Sequence, residues 1–269
     1  MMAAPFRQNC IAFGVRFELM ADSNDVLAQM MRCAPHSTEA CAGRAEDAWR
    51  FALLGDGSGT GYRLLAGNEV ATEDAALQPV LERFARDLMV HVADHAPDRV
   101  FVHAGVVGWQ GRALVLPGTS YAGKTTLVSE LVRAGATYYS DEYAVLDEEG
   151  RVHPYPRALQ MRQPGGAEQT PVPAEHLGGT AGAAALPVSH VVFAQHVEGG
   201  VWNPVAVSPG MAALEMLRHT IPVRRTPARV MATLAAMMET AVALHSERGE
   251  AAEMARALLI AITDGRPGA

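Results

Sequence analysis

Phe13, Val15, Phe17 and Leu19 alternate with Gly14, Arg16 and Glu18. A period of two puts one face of a strand in a core and the other in water, so a half-buried strand is predicted over 13–19. Ser23 or Asp22 then stands where a side-chain oxygen can accept the free N–H groups of a short helix running to about Arg32. Trp49, Phe51 and Leu53 form a second alternating run, and the glycine-rich stretch 55–61 leads to a third over 62–66, as in a hairpin with a loose loop. Leu77, Val80, Leu81, Phe84, Leu88 and Val92 change the period to that of a long amphipathic helix, with Pro79 tolerable only near its first turn.

Two apolar, β-rich runs at 99–107 and 112–116 flank Gly108, Trp109, Gln110 and Gly111 and predict a tight hairpin. A helix is expected from residue 125 or so to about Ala134, closed by Gly135, and the strand 136–139 after it ends in Ser140, Asp141 and Glu142. Residues 145–152 read as a hairpin turning at Glu148, Glu149 and Gly150. The stretch 154–187, rich in Pro, Gly and Ala, reads as loop-dominated and suited to a mobile lid. A strand at 188–194 follows. Ser208 with Pro209 starts a helix over 211–219, Thr226 with Pro227 starts one to about Glu247, and 250–263 supplies the last.

With 269 residues, 49% of them hydrophobic and 19% charged, the chain has material for a substantial core and is too apolar for disorder. The longest aliphatic run, near 257–262, is far short of a membrane span, and residues 1–11 carry no secretory pattern, so the expectation is a cytoplasmic protein without a membrane partner. Cys10, Cys33 and Cys41 lack CxxC or zinc-finger spacing, which argues for thiols rather than a disulfide framework or structural zinc. A net charge of -7 opposes nucleic acid as a partner while leaving room for a small basic site that holds one phosphate group.

Twenty-one arginines accompany a single lysine, Lys124. That lysine falls inside Gly118-Thr119-Ser120-Tyr121-Ala122-Gly123-Lys124-Thr125, which fits GxxxxGK[ST] directly after a strand and before a helix. Glycines let consecutive amides fold around an anion, the helix N-terminus adds N–H groups and a favourable dipole, Lys124 can reach the β- and γ-phosphates, and the Thr125 hydroxyl can ligate magnesium. Asp141 and Glu142, at the end of the next strand, can bind a metal or take a proton. His103, one hairpin earlier, can stand beside Asp141 if their strands are neighbours. His91 and His95 are one helical turn apart but lack the glutamate of a zinc-protease motif. Arg218, His219, Arg224, Arg225 and Arg229 form a basic cluster that suits a phosphate, an acidic peptide or plain solvation.

The run from Val102-His103-Ala104-Gly105 through Pro117 and 118–125 to Thr126-Leu127 and Tyr139-Ser140-Asp141-Glu142 resembles the catalytic domain of bacterial HPr kinase/phosphorylase and its HPr kinase-related branch, which share a fold with phosphoenolpyruvate carboxykinase. The resemblance covers about 99–162, and element order extends it to about 220. It implies an α/β P-loop domain with a mixed sheet over 99–269, closed by C-terminal helices, with a small αβ region over 1–98 packed on that core. It also implies an ATP- and magnesium-dependent kinase acting on a hydroxyl, most simply serine of a peptide or small protein. The nucleotide would lie on Gly118 through Thr126, Asp141 would take the hydroxyl proton, His103 would orient it, and Glu142 would help Thr125 and Asp141 hold magnesium. The family's acidic pair is usually Asp-Asp, and the glycine-rich segment that marks true HPr kinases is missing, so the chain is more similar to related kinases of peptide-modification pathways, lasso peptides included. A small-molecule kinase and a nucleotide-binding regulator are the alternative expectations, and a homo-oligomer is left open.

Overall fold

The computed structural model describes residues 5–43, 48–55, 61–118, 123–162 and 169–263. The architecture is mixed α/β, and the chain divides into two compact units, Met1–Asp98 and Arg99–Ala269.

The first unit is a six-stranded sheet with two helices. Its strands are β1 (Phe6–Ala12), β2 (Val15–Ala21), β3 (Glu39–Ala40), β4 (Trp49–Gly55), β5 (Tyr62–Ala66) and β6 (Glu69–Asp74), in the order β3-β1-β2-β4-β5-β6. Helix α1 (Asn24–Cys33) leads from β2 to the edge strand β3, from which the chain returns to β4, parallel to β2; Ser23 caps α1 by accepting from the Val26 N–H at 3.2 Å, as its sequence predicts. Helix α2 (Leu77–His95) buries Val80, Leu81, Phe84, Leu88 and Val92. The strand expected at 13–19 is β2, starting two residues later, because Phe13 and Gly14, at φ +47° and +78°, turn the preceding strand β1 into it. Polar Arg7, Gln8 and Asn9 leave β1 without an apolar alternation. Glu18 is buried in β2 and ion-paired with Arg50 and Arg7.

The second unit has β7 (Val100–Trp109), β8 (Arg112–Pro117), α3 (Lys124–Arg133), β9 (Thr137–Ser140), β10 (Tyr143–Leu146), β11 (Val152–His153), β12 (Leu159–Arg162) and β13 (Gln169–Val172). It continues with β14 (Val188–His196), β15 (Val205–Val207), α4 (Pro209–Leu217), α5 (Pro227–Met238), β16 (Val242–Arg248) and α6 (Ala251–Thr263). An eight-stranded mixed sheet runs β11-β10-β7-β8-β14-β16-β15, with β9 pairing on β7. β8, β14 and β16 are parallel to one another, while β7 and β15 run against them. Helices cover both faces, so the central strands are apolar on both sides. On one face Met216, Val230, Leu234 and Met237 of α4 and α5 join Val102, Ala104 and Val106. On the other, Leu127, Val128 and Leu131 of α3 and Met254 and Leu258 of α6 join Val107, Leu114, Leu116 and Leu244.

The helix expected from Thr226 to about Glu247 stops at Met238, and Val242–Arg248 is a strand in the sheet. No glycine or proline interrupts 228–248, so the change of period is masked by an alanine- and methionine-rich run. The stretch 154–187 is loop-dominated as expected, though it contains the antiparallel pair β12–β13 and a 3-10 turn at Ala174–Leu177, with Leu159 and Ala174 buried against α3. Its small residues serve close packing. The Gly182 N–H donates to Tyr138 O at 2.7 Å, and a Cβ at Gly182 would lie 2.2 Å from the Tyr139 ring.

Among the described residues no helix is long and apolar enough to cross a membrane.

Candidate functional site

Because β9 runs antiparallel to β7, and β7 antiparallel to β8, the C-terminal ends of β8, β9 and β16 lie on the same edge of the sheet. That edge is where parallel α/β sheets place ligands. Gly118 follows β8, Asp141 follows β9, and Arg248 ends β16. His103 lies in the half of β7 at this edge, where its carbonyl accepts from the Gly118 N–H at 3.3 Å. Val102 and Ala104 point into the α4–α5 core, so strand alternation turns His103 and Gly105 toward α3; a Cβ at Gly105 would meet Val128 of α3 at 2.6 Å.

Thr119, Ser120, Tyr121 and Ala122 lie outside the described residues. Gly123 opens α3 in the left-handed region, φ +75°, and Lys124 reaches back to donate to Gly118 O at 2.9 Å. Thr125, one residue on, donates its hydroxyl to Asp141 Oδ2 at 3.0 Å. The second oxygen, Asp141 Oδ1, accepts from the Tyr138 hydroxyl at 3.0 Å, and the residue is only 5% exposed. Thr126 is exposed, and its carbonyl accepts from Ser129 Oγ within the helix.

Ser140 explains how two adjacent acids come to face different neighbours. Its hydroxyl accepts from the N–H groups of Glu142 and Tyr143 at 3.1 and 2.9 Å, bending β9 into β10. The bend brings Tyr143 opposite His103. Glu142 Oε1 is then 3.8 Å from His103 Nε2, and Glu142 Oε2 is 3.5 Å from an Arg157 guanidinium nitrogen. His103 thus has Glu142 as its carboxylate neighbour, while Asp141 is engaged with Thr125 and Tyr138.

Burial dominates the electrostatics. It lowers the His103 pKa to about 4, helped by Lys124 and His219, so the imidazole is neutral at ordinary pH. Burial also lowers Lys124 to about 8 against the pull of Glu142 and Asp141. The Glu142 carboxyl is raised by burial and by Asp141, which together outweigh Arg157 and Lys124. Arg157 is pulled down by burial, yet Glu142 and Asp141 overcome this and raise it.

Arg157, Tyr138 and Arg248 belong to this constellation without having been singled out from the sequence. Arg157 lies between proline-rich and apolar residues with no period to mark it. Arg248 is 4% exposed and donates to Gly123 O and Gly249 O, each at 3.2 Å. Its only sequence signal is its place at the end of the alternation Leu244, Ser246, Arg248, directly before Gly249.

His91 and His95 stack in the first unit with ring centres 4.2 Å apart, and Trp49 stacks on His91 at 5.3 Å. Arg218, Arg224 and Arg225 are exposed, and Arg229 donates to Thr226 Oγ1 at 3.3 Å.

Among the described residues no three His, Cys, Asp or Glu side chains gather as a metal centre. Thr125 and Asp141 nevertheless form an all-oxygen pair suited to magnesium: neighbouring ligands about 2.1 Å from an octahedral ion stand about 3 Å apart, and these two oxygens are 3.0 Å apart. No family model matches the chain, and no curated protein matches it.

Proposed function

We propose that the Arg99–Ala269 unit is an HPr kinase-related, carboxykinase-like P-loop kinase that transfers the γ-phosphoryl group of ATP to a hydroxyl, most simply serine of a peptide or small protein. The observation that carries this reading is the Thr125–Asp141 hydrogen bond of 3.0 Å, which ties the residue after the lone lysine to the acidic pair at the neighbouring strand end. The hairpin β7–β8 feeding the loop supports the fold assignment, as does the mixed sheet.

Phosphoryl transfer is mostly positioning and charge neutralisation. Lys124 supplies a compact charge at the phosphates, and the left-handed Gly123 lets the following amides turn toward them. Thr125 and Asp141 would hold magnesium, with Tyr138 fixing the free oxygen of Asp141. When bound, the ion neutralises charge on the phosphate oxygens. The resemblance gives proton acceptance to Asp141 and a metal role to Glu142. The hydrogen bonds favour the reverse, because Asp141 is buried and doubly bonded, whereas Glu142 is a third exposed beside a neutral His103. Glu142 therefore takes the acceptor proton as the new O–P bond forms, and His103 orients the carboxylate.

Transfer of radiolabelled phosphate from ATP tests the division. Glu142→Gln should retain ATP affinity and lose roughly 10²- to 10⁴-fold in turnover, while Asp141→Asn should weaken magnesium-dependent ATP binding. Unchanged turnover in Glu142→Gln would return the base to Asp141. Unchanged ATP affinity in Lys124→Met, measured by calorimetry, would remove the nucleotide site altogether.

A further inference from the structure

The chain between Glu215 and Glu239 contains Arg218, His219, Arg224, Arg225 and Arg229 and no acid, in a protein whose net charge is -7. The fold brings the start of this run to the kinase site. β8 pairs with β7 only from Ala104 onward, because beyond Pro117 the chain leaves for the loop before α3. Residues 219 and 220 occupy the place that β8 vacates: the His103 N–H donates to His219 O at 2.7 Å, and Thr220 bridges Val102. The turn Ile221–Val223 then packs along β7, with Arg218 before it in the chain and Arg224 and Arg225 after it, all exposed. His219 itself feels the charge of Lys124.

Position decides what such a rim would contact. Lys124 and Arg248 border the loop, on the β8 and β16 side, where the phosphates belong. The basic run starts on that same β8 edge of β7, where His219 feels Lys124, but leads away from Gly118, past His103 toward the first residues of β7; His103 in turn has Glu142, the base proposed above, as its side-chain neighbour. Resting on the kinase reading above, we propose that residues 218–225 select the acceptor by charge, and that the substrate is a peptide segment with Asp or Glu flanking the hydroxyl to be phosphorylated. Exposed pairs of this kind are individually weak, roughly 2- to 5-fold each, and act together over about 8 Å at physiological salt. Their joint effect falls on KM, since no group of the run touches the transferred phosphoryl group.

A peptide library with one fixed serine and randomised flanks, incubated with radiolabelled ATP, reads the selection directly. The wild-type chain should enrich Asp and Glu at one or more flanking positions, with the preference shrinking between 50 and 300 mM salt, conditions separated by about a twofold change in screening length. Arg218→Glu with Arg224→Glu should lose that preference and turn toward Lys and Arg, with thermal stability and ATP affinity unchanged, and KM for an acidic peptide should rise roughly 5- to 20-fold at constant kcat. Phosphorylation without acidic enrichment, or enrichment that survives the double substitution, overturns the charge-selection proposal and leaves the kinase reading standing. If the wild-type chain phosphorylates no member of the library, the peptide-kinase reading falls and takes this proposal with it.

Discussion

Replacing Gly123 with alanine perturbs two terms that the structure separates. An L side chain at φ +75° enters the left-handed region, which costs roughly 1–2 kcal/mol. The new Cβ would also stand 2.2 Å from a terminal nitrogen of Arg248, so the guanidinium must leave. The tip of an arginine moves easily, and the cost is therefore the lost bond to Gly123 O rather than the clash itself, about 1.5–3 kcal/mol for a hydrogen bond from a charged donor. The sum is about 2.5–5 kcal/mol, or roughly a 5–20 °C fall in Tm for a unit of this size. A double-mutant cycle isolates the second term. In an Arg248→Ala background, Gly123→Ala should cost only the conformational 1–2 kcal/mol or so, leaving a coupling of about 1.5–3 kcal/mol. Urea unfolding followed by circular dichroism supplies the four free energies. Equal losses from Gly123→Ala in both backgrounds would refute the contact as the source of the cost, and a loss below about 0.5 kcal/mol would refute the backbone argument as well.

Three further outcomes follow from particular side chains. Burial pushes the Glu18 carboxyl up, but Arg50 and Arg7 outweigh it and hold it below its ordinary 4.5, so its stabilisation is complete above pH 4.5 and lost as pH falls through the lower folded value; urea melts from pH 6 to 3 should show a shallower acid limb in Glu18→Gln, and identical limbs would contradict this. The His103 ring, followed by NMR in the unliganded protein, should stay neutral across pH 5–8 and titrate near 4, whereas a midpoint near 6.5 would mean the site is open to water. Gly182→Ala overpacks the Tyr139 ring and should destabilise by roughly 1–3 kcal/mol, with unchanged unfolding free energy as the contrary result.

What the sequence disclosed was local. Ser23 as a cap, the β7–β8 hairpin and the start of α3 at Lys124 each depend on neighbours in the chain, and each stands where its pattern places it. Features made by partners distant in sequence were hidden. β16 becomes a strand by lying between β14 and β15, not through any local interruption of the helical run before it. Asp141 and Glu142 are conspicuous as acids at a strand end, but their division of contacts comes from the Ser140 bend and the opposition of Tyr143 to His103. Arg157 acquires meaning only when a proline-rich segment delivers it to Glu142.

The hydrogen bond between Gly123 and Arg248 spans 125 residues. At synthesis rates of about 5–20 residues per second, the ribosome needs roughly 6–25 s to deliver the arginine after the glycine has been made. α3 and the β7–β8 hairpin are complete well before then, but the edge of β14 that receives β16 has no partner, and the non-local parallel pairing that covers it closes slowly. During that interval Gly123 lacks its bond from Arg248 and an apolar strand edge is open to other chains. Under the proposed kinase reading, nucleotide present during synthesis would favour chains in which β16 has docked, and so draw the nascent population toward the docked sheet and away from aggregation.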